Sequence, residues 1–242
     1  MATEQVVPAR ATKRSGFLDK YFYFSMSLLI AVVVVYGFSH TVNQDLIHAT
    51  PLRPWVLWLH GAVFSSWVVF FIFQSALIRT HNVKLHRRTG WFGVGLGSVM
   101  TVLGLSTAVV MDRFDALHFH LADAHTFFAI QLWDIISFTT FFWLAVYWRK
   151  KPEFHRRLIL IATCALTSAA FGRFPMISHH WFYAGVDLLI VLGVVRDLIV
   201  NRSVHVVYRY ALPALIVGQI LAVQIWAQHP EWWVRITNAI MG

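Results

Sequence analysis

Residues 55–105 read WVLWLHGAVFSSWVVFFIFQSALIRTHNVKLHRRTGWFGVGLGSVMTVLGL. Two apolar runs flank one basic turn, RTHNVKLHRR at 79–88. Each run is long enough to cross a hydrocarbon core of about 30 Å as a helix rising about 1.5 Å per residue. So short a turn can only reverse the chain, which makes the two helices antiparallel neighbours. The unit is a membrane helical hairpin with a basic tip, and a histidine sits near each helix start, His60 and His86.

The same alternation continues on both sides. Spans are expected at about 21–39, 55–78, 89–111, 125–148, 157–176, 181–200 and 207–228. The expected fold is therefore an all-α integral membrane protein of seven transmembrane helices in a single membrane domain over 1–242. Its parts are a leader at 1–20, a bundle at 21–228 and a C-terminal segment at 229–242, with helices two to five forming a central four-helix bundle. Of 242 residues 58% are apolar and 13% charged, against about 45–50% and about 25% in soluble domains. Lipid is thus the natural partner of the apolar surface. The first block follows a basic leader and lacks a small-residue cleavage site, so it is expected to be retained as a helix. The longest outer link, MDRFDALHFHLADA at 111–124, could hold a short interfacial helix.

Basic residues set the orientation. With the N-terminus cytoplasmic and the C-terminus outside, the inner ends collect Arg10, Lys13, Arg14, Lys20, Arg79, Lys84, Arg87, Arg88, Arg149, Lys150, Lys151, Arg156, Arg157, Arg196, Arg202 and Arg209. The outer ends keep Arg53, Arg113, Arg173 and Arg235. A bacterial cytoplasmic membrane is the expected location. The net charge of +9 is accounted for by this topology, and no nucleic-acid partner is expected. The single cysteine, Cys164, forms no disulfide within the chain.

The thirteen histidines sort by depth. His60 and His125 lie just inside the outer ends of helices two and four. His86 and His155 open helices three and five at the inner level. Neutral imidazoles facing each other at one depth can ligate a haem iron on both sides, and two levels would hold two haems b. From His86, positions four, seven, eleven and eighteen later are Gly90, Gly93, Gly97 and Gly104, one stripe of a helix with room for a flat macrocycle. From His155 the positions seven and fourteen later are Ala162 and Ala169. Arg173 could meet a propionate of an outer haem, and Arg87, Arg88, Arg156 and Arg157 those of an inner one. Each feature has a plainer alternative. An interfacial histidine often snorkels or caps a helix, and small residues at this spacing also drive close helix packing in lipid.

The pattern resembles the cytochrome b561 superfamily of dihaem membrane proteins, over about residues 55–176. The resemblance implies ligand pairs between helices two and four, here His60 with His125, and between helices three and five, here His86 with His155. It implies an electron-transfer protein or membrane oxidoreductase. A quinone or another small redox molecule could be its partner.

A second reading is a non-haem metal-dependent membrane enzyme using the outer histidines, His118, His120, His179 and His180, with zinc, copper or iron. A third is a transporter or respiratory assembly factor relying on the intramembrane acids Asp134 and Asp187. A retinal protein is excluded, because all five lysines, Lys13, Lys20, Lys84, Lys150 and Lys151, fall at or beyond inner ends and a Schiff base needs one inside the bundle.

Overall fold

The computed structural model describes residues 16–119, 124–177 and 181–241. Nine α-helices occupy these residues: α1 (Phe17–Ser39), α2 (Trp55–Arg79), α3 (Val83–Phe119), α4 (Ala124–Tyr147), α5 (Pro152–Ala165), α6 (Ser168–Phe171), α7 (Phe182–Asn201), α8 (Val206–Gln228) and α9 (Glu231–Met241). Local chemistry explains several boundaries. Asn82 Oδ1 accepts the Leu85 amide at 3.3 Å and so caps the start of α3. Pro152 occupies the first turn of α5, where its missing N–H costs nothing. His205 caps α8 by accepting the Val207 amide at 3.2 Å.

Five helices are long and apolar enough to cross a membrane: α1, α2, α3, α4 and α8. Their outward faces are apolar, with Val32, Val35, Val69, Val102 and Val217 all exposed, which makes lipid the environment of that surface. The two remaining expected spans differ in kind. The stretch at 157–176 is not one helix: α5 stops at Ala165, and α6 resumes at Ser168. At the break the Cys164 carbonyl accepts both the Thr167 amide (2.9 Å) and the Thr167 hydroxyl (2.6 Å). A local hydroxyl thus satisfies the backbone where the helix ladder is interrupted. The other, α7, carries Asp187, Arg196 and Asp197 within twenty residues.

The link expected at 111–124 is also different. α3 runs on without interruption to Phe119, so its thirty-seven residues measure roughly 55 Å, longer than the hydrocarbon core. Its last turns therefore extend past the apolar run.

The helices form a closed ring, α1–α2–α3–α4–α8–α7, in which each packs on the next. Inside it α5 packs on α4, α7, α8 and α1, and Trp67 of α2 donates its indole N–H to Thr163 of α5 at 3.3 Å. The composition of α5 suits a hub: Ala162, Cys164 and Ala165 let neighbours approach, and every residue from Leu160 to Ala165 is buried. Trp67, Phe138 and Phe142 fill the centre, with ring centroids 5.5–5.7 Å apart. At the rim, α9 packs on α3 and α4. Arg113 holds its end by donating to the carbonyls of Met241 (2.9 Å) and Ile240 (2.8 Å).

One contact is tight enough to test. A Cβ on Gly37 of α1 would overlap the backbone of Ala170 in α6. Backbone cannot swing aside as a side chain can, so Gly37→Ala should cost about 1–3 kcal/mol. The thermal midpoint of the detergent-solubilised variant should fall accordingly, whereas Gly95→Ala, with open space around it, should leave it unchanged.

Candidate functional site

The ends of α3 and α5 meet beside the basic turns. There the rings of His86 and His155 stand with centroids 6.3 Å apart and planes at 75°. The Nδ1–H of His155 donates to the Ala145 carbonyl of α4 at 2.9 Å, which leaves Nε2 as the nitrogen with a free lone pair. His86 Nδ1 is buried without a hydrogen-bond partner among the described residues. A metal ion in line between two imidazole nitrogens takes about 2 Å on each side, and ring centroids then stand roughly 6 Å apart. The observed spacing fits that geometry. Rings turned about a shared axis can adopt any mutual angle, so 75° is compatible with it.

At the opposite ends of α2 and α4 lie His60 and His125. His125 Nδ1 is 2.5 Å from Asp112 Oδ2, and Asp112 is buried at 4% exposure. A carboxylate behind one imidazole nitrogen fixes the tautomer and raises the basicity of the other, the usual arrangement for a metal-bound histidine. Trp233 of α9 donates its indole N–H to the His125 carbonyl at 3.0 Å, which ties the start of α4 to α9. His60 stacks on Phe64 one turn later at 3.9 Å, and its Nδ1 is buried without a partner among the described residues. No ring contact joins His60 to His125 among the described residues, in contrast to His86 and His155.

Asp112 was not legible as part of the site. Read as a loop, 111–124 offers no reason for that carboxylate to face His125, thirteen residues on. Continuation of α3 past the apolar run puts it there.

The expected cationic partners divide. Arg173 is close enough to His60 for its charge to bear on that ring. Its guanidinium donates to Thr41 Oγ1 (3.0 Å) and the Ala169 carbonyl (2.6 Å) and lies over Phe38. Arg87 and Arg88 are exposed beside His86. Arg156 pairs with Glu153 at 2.6 Å, with its Nε free among the described residues. Arg157 is committed elsewhere: it is fully buried and bonded to Asp197 and Glu153.

The glycine stripe of α3 also divides. At Gly90 nothing lies within 4 Å of where a Cβ would stand, and the same holds at Gly61 beside His60. At Gly93 the ring of Phe70 takes the place, at Gly97 that of Phe142, and at Gly104 Ile135. Space beside the helix is therefore open next to His60 and His86, and filled by Phe70, Phe142 and Ile135 farther along α3.

The acids form separate sites. Asp134 accepts from Ser168 at 2.5 Å and Tyr183 at 2.9 Å. Asp187 accepts from Gln219 at 3.2 Å. Of the outer histidines, His118 is exposed and engages the Phe114 carbonyl through Nδ1 at 2.9 Å. His120, His179 and His180 lie outside the described residues. Among the described residues no three His, Cys, Asp or Glu side chains converge as metal ligands.

No family model, curated protein or solved structure matches the chain.

Proposed function

We propose that the chain is a b-type dihaem membrane protein that carries electrons between its two ends. The observation that carries this reading is the 6.3 Å separation of the His86 and His155 rings, with the Nδ1–H of His155 spent on a backbone carbonyl.

In this reading His86 and His155 would hold one haem, and His60 and His125 the other. Bound there, haem would supply one-electron chemistry that lipid and protein lack. The residues of the chain set its conditions. Ala145 orients His155, and Asp112 orients His125 and makes it a stronger donor. Arg173 at one level, and Arg87 and Arg156 at the other, would neutralise propionates. Gly61 and Gly90 leave lateral room beside the ligands. Trp67, Phe138 and Phe142 hold the levels apart and exclude water between them.

The same reading includes seven crossings, with α5 and α6 together as the fifth and α7 as the sixth. Ion pairs among Arg196, Asp197, Asp19 and Arg157 make the charges of α7 tolerable in lipid. In this reading the N-terminus is cytoplasmic and the membrane a bacterial cytoplasmic one, which the positive-inside bias supports.

Protein purified from cells supplied with haem precursor should show a b-type reduced-minus-oxidised spectrum and two haems per chain. A colourless preparation overturns the proposal. Within it, Asp112→Asn should weaken retention at His125 by about 10–100-fold while sparing the His86–His155 level. Transfer of haem to an excess of apomyoglobin measures this: one haem should leave faster than in the parent protein, and the other at the parent rate.

A further inference from the structure

The helix α9, Glu231–Met241, measures roughly 16 Å and is too short to cross a hydrocarbon core of about 30 Å. Its two ends rest at one depth. Near its start, Trp233 donates its indole N–H to the His125 carbonyl and stacks on Phe128 of α4, with centroids 6.3 Å apart. At its far end the Ile240 and Met241 carbonyls accept from Arg113 of α3, and Met241 packs with Ala108 and Phe128. The bond between Asp112 and His125 sets those stretches of α3 and α4 level with each other. From Trp233 to Met241 the helix therefore travels about 12 Å sideways, across the ends of α3 and α4 rather than along them. That level is the edge of the apolar core. The apolar run of α3 ends at Met111, and Asp112, Arg113 and Asp115 follow it.

The surface of α9 divides three ways. Trp233, Thr237 and Met241 pack on the protein. Trp232, Ile236 and Ile240, one position earlier each time, are exposed. At about 3.6 residues per turn they form a stripe centred about 100° from the packed face. Glu231, Arg235 and Asn238 are exposed as well, and they centre about 130° from both. A short helix on a watery surface needs one apolar face, turned to the protein. A second apolar stripe needs a second apolar neighbour. A helix along a bilayer surface meets three neighbours: protein at its side, acyl chains below and water above. The exposed apolar side chains of α3, Val102, Leu105 and Val110, carry the lipid-facing surface up to the level of Arg113. Lipid is therefore already at hand where the stripe lies, and Trp232 suits the aromatic belt at that depth.

We propose that α9 lies in the plane of the membrane, in the leaflet on the His125 side. Trp232, Ile236 and Ile240 sit among the upper acyl chains, and Glu231, Arg235 and Asn238 face water. Trp233 of the same helix holds the His125 carbonyl, so the leaflet helps to fix the start of α4. This placement holds whether or not haem binds.

Bimane attached to single introduced cysteines of the full chain in phosphatidylcholine nanodiscs reads the placement. Cys164 is fully buried, so the label goes to the new thiol. Ile236→Cys, Ile240→Cys, Arg235→Cys and Asn238→Cys each alter an exposed side chain, and parental thermal midpoints confirm that the labelled proteins are folded. Labels at 236 and 240 should sit about 5–10 Å into the acyl boundary. Phosphatidylcholine brominated in its acyl chains should then quench them, and iodide in the buffer should not. Labels at 235 and 238 should show the reverse. Iodide quenching as strong at 236 as at 238 overturns the proposal, because the stripe then faces water. Protection of 236 and 240 from both quenchers overturns it too, because another protein surface then covers the stripe. Lipid quenching at all four positions also overturns it, because the helix is then sunk in the core rather than seated at its edge.

Discussion

Asp197→Ala should prevent the chain from folding stably. Asp197 is fully buried and accepts from Arg157 at 2.7 and 2.5 Å, from Arg196 at 2.9 Å and from Asn201 at 3.2 Å. Arg157 and Arg196 are themselves buried at 0% and 2% exposure. Truncating the carboxylate strands Arg157 inside the bundle with only Glu153 beside it, and deprives Arg196 of one of its two acids, leaving Asp19. Breaking a buried pair from one side costs about 3–5 kcal/mol, because the remaining charge keeps its desolvation penalty and loses its compensation. Against a typical total of about 5–15 kcal/mol, that is a large share. The thermal midpoint in detergent should drop steeply, with a fall in the yield of monodisperse protein. Replacing the pair together, as Arg157→Met with Asp197→Leu, should recover much of the loss, since no lone charge then remains. A double variant as unstable as Asp197→Ala would mean that the pair matters for something other than its charge balance.

If the proposed dihaem reading holds, His155→Ala should lower the haem content from two per chain to one, and His86→Ala should remove the same haem. Their ring centroids stand 6.3 Å apart, so on the proposed reading either loss disables the same site. The double variant should therefore lose no more than either single variant, a non-additivity expected of groups that act as a unit. His125→Ala and His60→Ala should remove the other haem, and His86→Ala combined with His125→Ala should remove both. Pyridine haemochrome assay against protein concentration gives the count. Loss of one common haem in His60→Ala and His86→Ala would mean that the ligands pair along the hairpin rather than across the bundle. Protein yield should stay near the parental level in the His86 and His155 variants. His86 is only half-buried, and His155 contributes a single hydrogen bond to Ala145.

Some of this was legible in residue order because it is local. Apolar runs of membrane length yield α1, α2, α3, α4 and α8 directly, since in lipid a backbone has few options but the helix. The meeting of His86 with His155 also follows from local rules. Each opens a helix just after a basic turn, so both arrive at the same end of the bundle.

Other features depend on contacts between residues far apart in the chain. Hydropathy alone reads 157–176 as one span, because Thr167 and Ser168 barely dent an apolar average. The break depends on where those hydroxyls bond. The glycines of α3 suit a macrocycle and an aromatic ring equally well by size, and only packing shows Phe70 and Phe142 seated at Gly93 and Gly97. Arg157 reads as one more inner-side cation until α7 brings Asp197 against it.

Residue order by itself determined a bundle of apolar helices with basic turns and two levels of histidine, because length, period and charge asymmetry act within each helix and against the bilayer. Tertiary structure alone decided that α5 is the hub, that Asp112 backs His125 and that Arg157 is spent on Asp197. Such pairings depend on the rotation of each helix about its axis, and that is set by how side chains fill space between helices.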